Sequence, residues 1–128
     1  QVGCLDPVGG ARGVERLHKH LHGEGLSSRV ILDSWQAGDA RSGETVAVWL
    51  EIMAGPLAMV LNVVGATVVP VGGGLANVGA LIAALDVAVR ARVLRRCVGP
   101  LVVRAKHRVE PGLIGASLIG WQGMGDAD

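Results

Sequence analysis

Three short stretches carry side chains, or a deliberate lack of them, that chemistry could use. Val68-Val69-Pro70-Val71-Gly72-Gly73-Gly74-Leu75-Ala76-Asn77 runs a β-branched segment into three residues without side chains. A helix is expected a few residues later. Such a loop lets a ligand touch backbone N–H groups, and a helix N-terminus favours phosphate. The spacing is neither G-x-G-x-x-G nor a P-loop, since no Gly-Lys-Ser/Thr follows. A tight turn without a ligand would look the same, so spacing alone leaves both readings open. His18, His20 and His22 form a second stretch. On a helix His18 and His22 share a face and could share a metal. The commoner meaning of such a run is a solvated face in a helix's last turn, stabilised by the helix dipole. At the front, Cys4 has no C-x-x-C partner, and Asp6 sits in a Pro/Gly turn where Asp is usually a turn former. Cys97 follows an arginine cluster and reads as an ordinary thiol. No Ser/His/Asp order can be assembled.

The elements that must position these residues come from a chain of 128 residues. That is enough for one domain with a real core and too short for two. Half of the residues are hydrophobic, only 18% are charged, and mean hydropathy is +0.45, which excludes bulk disorder. Twelve Lys and Arg stand against eleven Asp and Glu, so no global field favours nucleic acid or an acidic partner. With three Trp and neither Phe nor Tyr, the core must be aliphatic and a base-stacking surface is not expected. Two cysteines are too few for a disulfide scaffold, so a reducing cytoplasm is the default. The chain opens at Gln1 without an initiator Met and without a signal-peptide pattern, and it reads as a fragment. From Ile52 to Leu85 no residue is charged. Gly55, Pro56, Asn62, Gly65, Pro70 and the glycine triplet punctuate that run, and no Lys/Arg cluster flanks it. A buried helix–turn–strand–helix explains it better than a membrane span.

Periodicity predicts a helix over Ala11 to His22, from Val14, Leu17 and Leu21, with Gly23 as its stop. Ser27 or Ser28 can cap a second helix to about Gln36, closed by Gly38. Asp39 can cap a long third helix to about Val64, with Gly65 after it and Pro56 bending it. Thr67 to Val71 reads as a short strand, with Pro70 demanding an edge or a last pair. Asn77 can cap a fourth helix to about Arg96, whose Arg90, Arg92, Arg95 and Arg96 would complement its dipole. Leu101 to Ala105 reads as a second strand, parallel to the first through a right-handed crossover. A short helix from Leu113 to about Ile119 and a frayed tail over 123–128 complete the expectation. Two strands make a poor sheet alone, so more sheet is expected in sequence outside this chain.

Taken together, these stretches resemble the ROK family (repressors, open reading frames and sugar kinases), and within it the bacterial N-acetylglucosamine kinases. Gly3-Cys4-Leu5-Asp6 is similar to the end of the family's C-x-C-G-x-x-G-C-x-E signature. Val71-Gly72-Gly73-Gly74-Leu75-Ala76-Asn77 is similar to its G-G-G-[LV]-S-N loop, and Glu110-Pro111-Gly112-Leu113-Ile114-Gly115-Ala116 to its closing G-x-x-G-A. The resemblance implies an α/β chain, helix-rich with a short partly parallel sheet. Residues 1–122 would be the C-terminal lobe of an actin-like, ribonuclease-H-like sugar kinase. The implied reaction is transfer of phosphate from Mg-ATP to a hexose or N-acetylhexosamine, with N-acetylglucosamine to its 6-phosphate as the best fit. Gly72, Gly73, Gly74 and Asn77 would contact the nucleotide, and Asp6 the sugar hydroxyls. Cys4 would be the last cysteine of a structural Zn²⁺ site. Asp6 departs from the family's Glu by one methylene, and the phosphate loop of D-x-G-G-T type, the catalytic Asp and the other zinc ligands match nothing in this chain. No catalytic residue is therefore assigned, and the chain alone is expected to be inactive. A sugar-responsive repressor and an inactive truncated product are the alternatives. Sugar and ATP are the expected partners, a homodimer is compatible, and neither membrane nor nucleic acid is expected outside the repressor reading.

Overall fold

The computed structural model describes residues 5–105. Cys4, the helix expected from Leu113, the closing motif and the tail at 123–128 lie outside that range. Within it the order is α1 (Asp6–Gly9), α2 (Ala11–His22), α3 (Ser28–Gln36), α4 (Ala40–Val64), β1 (Val69–Val71), a 3₁₀ turn (Gly74–Asn77), α5 (Gly79–Arg90) and β2 (Val102–Arg104). The result is helix-rich material around one short parallel sheet, as the periodicity demands.

Local chemistry sets most boundaries. The Ser27 hydroxyl accepts the Val30 N–H at the start of α3, and the Asp39 carboxylate accepts the Ser42 N–H at 2.8 Å at the start of α4. That bond to the ionised carboxyl holds Asp39 below the usual carboxylate range. Gly23 and Gly65 close α2 and α4 in the left-handed conformation. Pro56 lies inside α4, and the helix runs through it.

α4 is the organising element. Ser42, Thr45, Val46, Trp49, Ala54, Ala58 and Leu61 are its buried residues, and α2, α3 and α5 all pack on it. Among the described residues, this 25-residue helix is the one that is long and apolar enough to cross a membrane. Its buried stripe within the aliphatic core is the pattern of a core helix. Its C-terminal half leaves Met59, Val60, Val63 and Val64 exposed.

The sheet has the expected parallel pairing, with Val69, Pro70 and Val71 opposite Val102, Val103 and Arg104. Val69 N–H donates to the Leu101 carbonyl at 2.6 Å, and the Val71 carbonyl accepts from Ala105 at 2.9 Å. Pro70 falls between these two ladder residues, where a parallel strand turns its backbone to the other edge. The missing N–H costs the ladder nothing.

Two expectations about the fourth helix need correction. Asn77 does not cap it: Asn77 ends the 3₁₀ turn, and Val78 precedes α5 without a side-chain cap. The helix also stops at Arg90 rather than near Arg96. The cause is tertiary. Leu94 N–H donates to Asn62 Oδ1 at 3.0 Å, and Asn62 Nδ2 donates to the Arg92 carbonyl at 3.4 Å. An α4 side chain thus takes the donor that a continuing helix would have used. Arg92 and Arg95 lie beyond α5, yet the Arg92 guanidinium reaches back to donate to the Ala88 carbonyl in its last turn at 2.8 Å. Another nitrogen of the Arg92 guanidinium pairs with Glu51 at 2.6 Å, whereas Arg95 donates to the Gly65 and Ala66 carbonyls just past α4.

Asp86 of α5, 7% exposed, accepts both the Leu101 N–H at 2.7 Å and the Val102 N–H at 2.8 Å on a single oxygen. Removing it orphans two buried donors, so Asp86→Ala should destabilise the chain by about 3 kcal/mol. Asp86→Asn, which keeps an acceptor oxygen, should cost less. Urea melts of the two variants check this, and equal stabilities would refute the bonding role.

Candidate functional site

β1 ends at Val71, and the chain then passes through Gly72, Gly73 and Gly74, all exposed, before Leu75 and Ala76 bury themselves in the core. Gly73 has φ 85° and ψ −175°, a combination that essentially only glycine adopts. A Cβ placed there would meet nothing within 4 Å. The glycine therefore answers a demand of the backbone and keeps the loop bare toward open space.

Two hollows meet at this loop. The first, about 220 Å³, is lined largely by apolar groups, among them Trp49, Met53, Ile82, Gly9, Gly10 and the whole glycine triplet. The second, about 420 Å³, brings Gly74 and Asn77 together with Ser28, Arg29 and Asp33 of α3. The Asn77 side chain is held by Arg104 of β2, whose guanidinium donates to its Oδ1. Arg29 and Asp33 lie 3.9 Å apart, one helical turn from each other. Sequence reasoning missed these three α3 residues. The signal available was the Ser27 cap, which fixes where α3 starts and so which residues share a face.

The segment that begins at Asp6 reaches the same place. Its backbone forms α1, a single turn not expected from the sequence, and the end of that turn, Gly9, lines the first hollow. α1 is pinned through one carbonyl. Trp49 Nε1–H donates to the Val8 carbonyl at 3.0 Å, and Gly13 of α2 lies directly beneath it. A Cβ on Gly13 would land on that carbonyl and within 2.6 Å of Val8 Cα. The fold thus brings the Asp6 segment, the triplet and Asn77 around adjoining hollows. Cys4 lies outside the described residues. Among the described residues no three His, Cys, Asp or Glu side chains converge as a metal-binding group.

The histidine run divides. His20 is exposed, as a solvated face requires, but His18 is 1% exposed at the α2–α4 contact. The solvated reading therefore fails for His18, because this face of α2 packs on α4. Its Nδ1 lies 2.8 Å from Thr45 Oγ1, and that hydroxyl donates onward to the Arg41 carbonyl at 3.1 Å. Burial, then the neighbouring His22, hold the His18 pKa below its ordinary value.

Sequence comparison fits this geometry. The ROK family profile matches residues 1–122. The chain belongs to the ROK family. N-acetyl-D-glucosamine kinase of Pasteurella multocida is 34% identical over 116 residues, covering 91% of this chain and 38% of that protein. The enzymes of the same name from Photobacterium profundum and Mannheimia succiniciproducens are 32% and 31% identical over comparable spans. This ROK chain therefore spans under two-fifths of the length of the curated relatives it matches.

His18 gives the stability of the fold a measurable pH dependence. Its folded-state pKa lies below the unfolded value near 6.5, so the unfolded chain binds the extra proton first. Stability should fall as pH drops below that value and level off once the folded chain is protonated too. Thermal melts between neutral and mildly acidic pH should show the fall, and His18→Leu should flatten it. An unchanged slope in that variant would remove His18 as the cause.

Proposed function

We propose that this chain forms the C-terminal, nucleotide-facing lobe of an actin-like sugar kinase that phosphorylates N-acetylglucosamine or a close N-acetylhexosamine. The observation that carries the reading is Gly73. Its glycine-only backbone conformation, the open space beside it and its place in the first hollow, next to the Gly74 that lines both, make a bare peptide surface of the kind that phosphate and ribose oxygens can approach.

On this reading Gly72, Gly73 and Gly74 offer backbone to the nucleotide. Asn77, oriented by Arg104, and Asp33 and Arg29 offer polar groups along the adjoining hollow. Asp6, at the start of α1, would accept from sugar hydroxyls. Its side chain, one methylene shorter than the family's Glu, would set the sugar deeper or hold it less firmly. Mg²⁺, when bound with ATP, neutralises phosphate charge. Phosphoryl transfer depends chiefly on positioning and electrostatics. The described residues contribute positioning, through a rigid αβ scaffold. Among the described residues no three His, Cys, Asp or Glu side chains converge as a metal-binding group.

Two outcomes test the reading. The 128-residue chain mixed with N-acetylglucosamine and Mg-ATP should release no ADP above background in a coupled assay, because it lacks matches to the family's phosphate loop and catalytic Asp. In a protein of the relatives' length containing these residues, Gly73→Val should raise the KM for ATP about tenfold through lost backbone geometry. The KM for sugar should stay nearly unchanged. Equal losses for both substrates, with a lowered melting temperature, would mark the triplet as a structural turn only.

A further inference from the structure

Two imidazole nitrogens at the α2–α4 seam have no hydrogen-bond partner: His18 Nε2 and His22 Nε2, both buried. The rings are one helical turn apart, with centroids 4.8 Å from each other and planes tilted by 55°. The His18 side chain is 1% exposed and that of His22 is 8% exposed. Buried polar atoms are nearly always satisfied, and two orphans side by side call for an explanation.

The neighbours of His18 accommodate one metal-competent tautomer. The Thr45 hydroxyl has one proton, and the Arg41 carbonyl at 3.1 Å is an acceptor for it. With that proton on the Arg41 carbonyl, His18 Nδ1 donates to Thr45 Oγ1 and Nε2 presents a bare lone pair, the tautomer a metal ion would select. An imidazole fixed by a hydrogen bond at one nitrogen and open at the other is the arrangement found in metal-ligating histidines. A third donor stands at the edge. Glu44 Oε2 is 4.0 Å from His22 Nε2, and its side chain is 62% exposed and able to rotate. The surrounding charge suits a cation. Glu24 and Asp39 both act on His18 as negative groups, with Arg41 opposing them and held 3.9 Å from Glu24.

We propose that His18, His22 and Glu44 form a binding site for one divalent transition-metal ion of the Zn²⁺ type. The three donors do not converge as they stand, so the ion would draw in the Glu44 carboxylate and turn the two imidazole rings toward a common point. Two nitrogens and one carboxylate oxygen are a donor set that zinc accepts, with water in the fourth position. The site joins the last turn of α2 to α4, so the ion would fasten these helices together. It is separate from the cysteine site that the family resemblance implies, and it does not depend on the kinase reading.

The test uses Zn²⁺ and its optical substitute Co²⁺ on the 128-residue chain. One equivalent should bind and raise the melting temperature, and the Co²⁺ complex should lack the near-ultraviolet sulfur-to-cobalt band that ligation by Cys4 or Cys97 would give. His22→Gln, near the end of α2, should keep the fold by circular dichroism and weaken binding at least tenfold. Glu44→Gln should weaken it less, and His20→Gln, on the exposed face, should leave it unchanged. No binding, a sulfur band, undiminished affinity in His22→Gln, or loss in His20→Gln would each overturn the proposal.

Discussion

The arrangement around the glycine triplet depends on one buried carboxylate. β2 is three residues long and finds, among the described residues, a single partner strand. Two such strands would not hold together by their own ladder. Asp86 supplies what the ladder cannot, because it binds the N–H groups of Leu101 and Val102 from the adjacent helix. Arg90, one turn along, stands 3.8 Å from the same carboxylate. The charge is thus both hydrogen-bonded and partly countered, the condition under which burying it is tolerable. β2 then fixes β1, and β1 fixes where the chain enters the bare loop.

A second constraint works from the opposite side. The Val8 carbonyl is gripped by Trp49 from above and accommodated by Gly13 below. These contacts hold α1 against α2 and α4, and the backbone after Asp6 ends at the hollow that the triplet also lines. The α1 segment and the glycine triplet, far apart in the chain, are thus brought to one hollow.

The seam between α2 and α4 shows a different economy of polar groups. Thr45 is fully buried in the middle of an apolar helix face, yet its hydroxyl is used twice, once as donor to Arg41 and once as acceptor from His18. That chain of bonds orders one imidazole and leaves the next polar atom without a partner. Burial makes the His18 proton costly, the consequence of its desolvated environment.

By itself the sequence determined the helices α2, α3 and α4 with their caps. Ser27, Asp39, Gly23 and Gly65 act within a few residues of their own positions, and local backbone chemistry decides them. It also determined the parallel strand pair and the glycine triplet, because β-branched runs and side-chain-free loops are visible one residue at a time. Family membership was legible for the same reason, since its motifs are contiguous. Only the tertiary structure decided where α5 ends, because Asn62 of another helix captures the backbone after Arg90. It alone decided that Asn77 orients toward Arg104 instead of capping, that His18 is buried while His20 is not, and that Arg29 and Asp33 share a hollow with Gly74. Each of these outcomes is set by a partner distant in sequence, and neither periodicity nor composition specifies which distant group arrives.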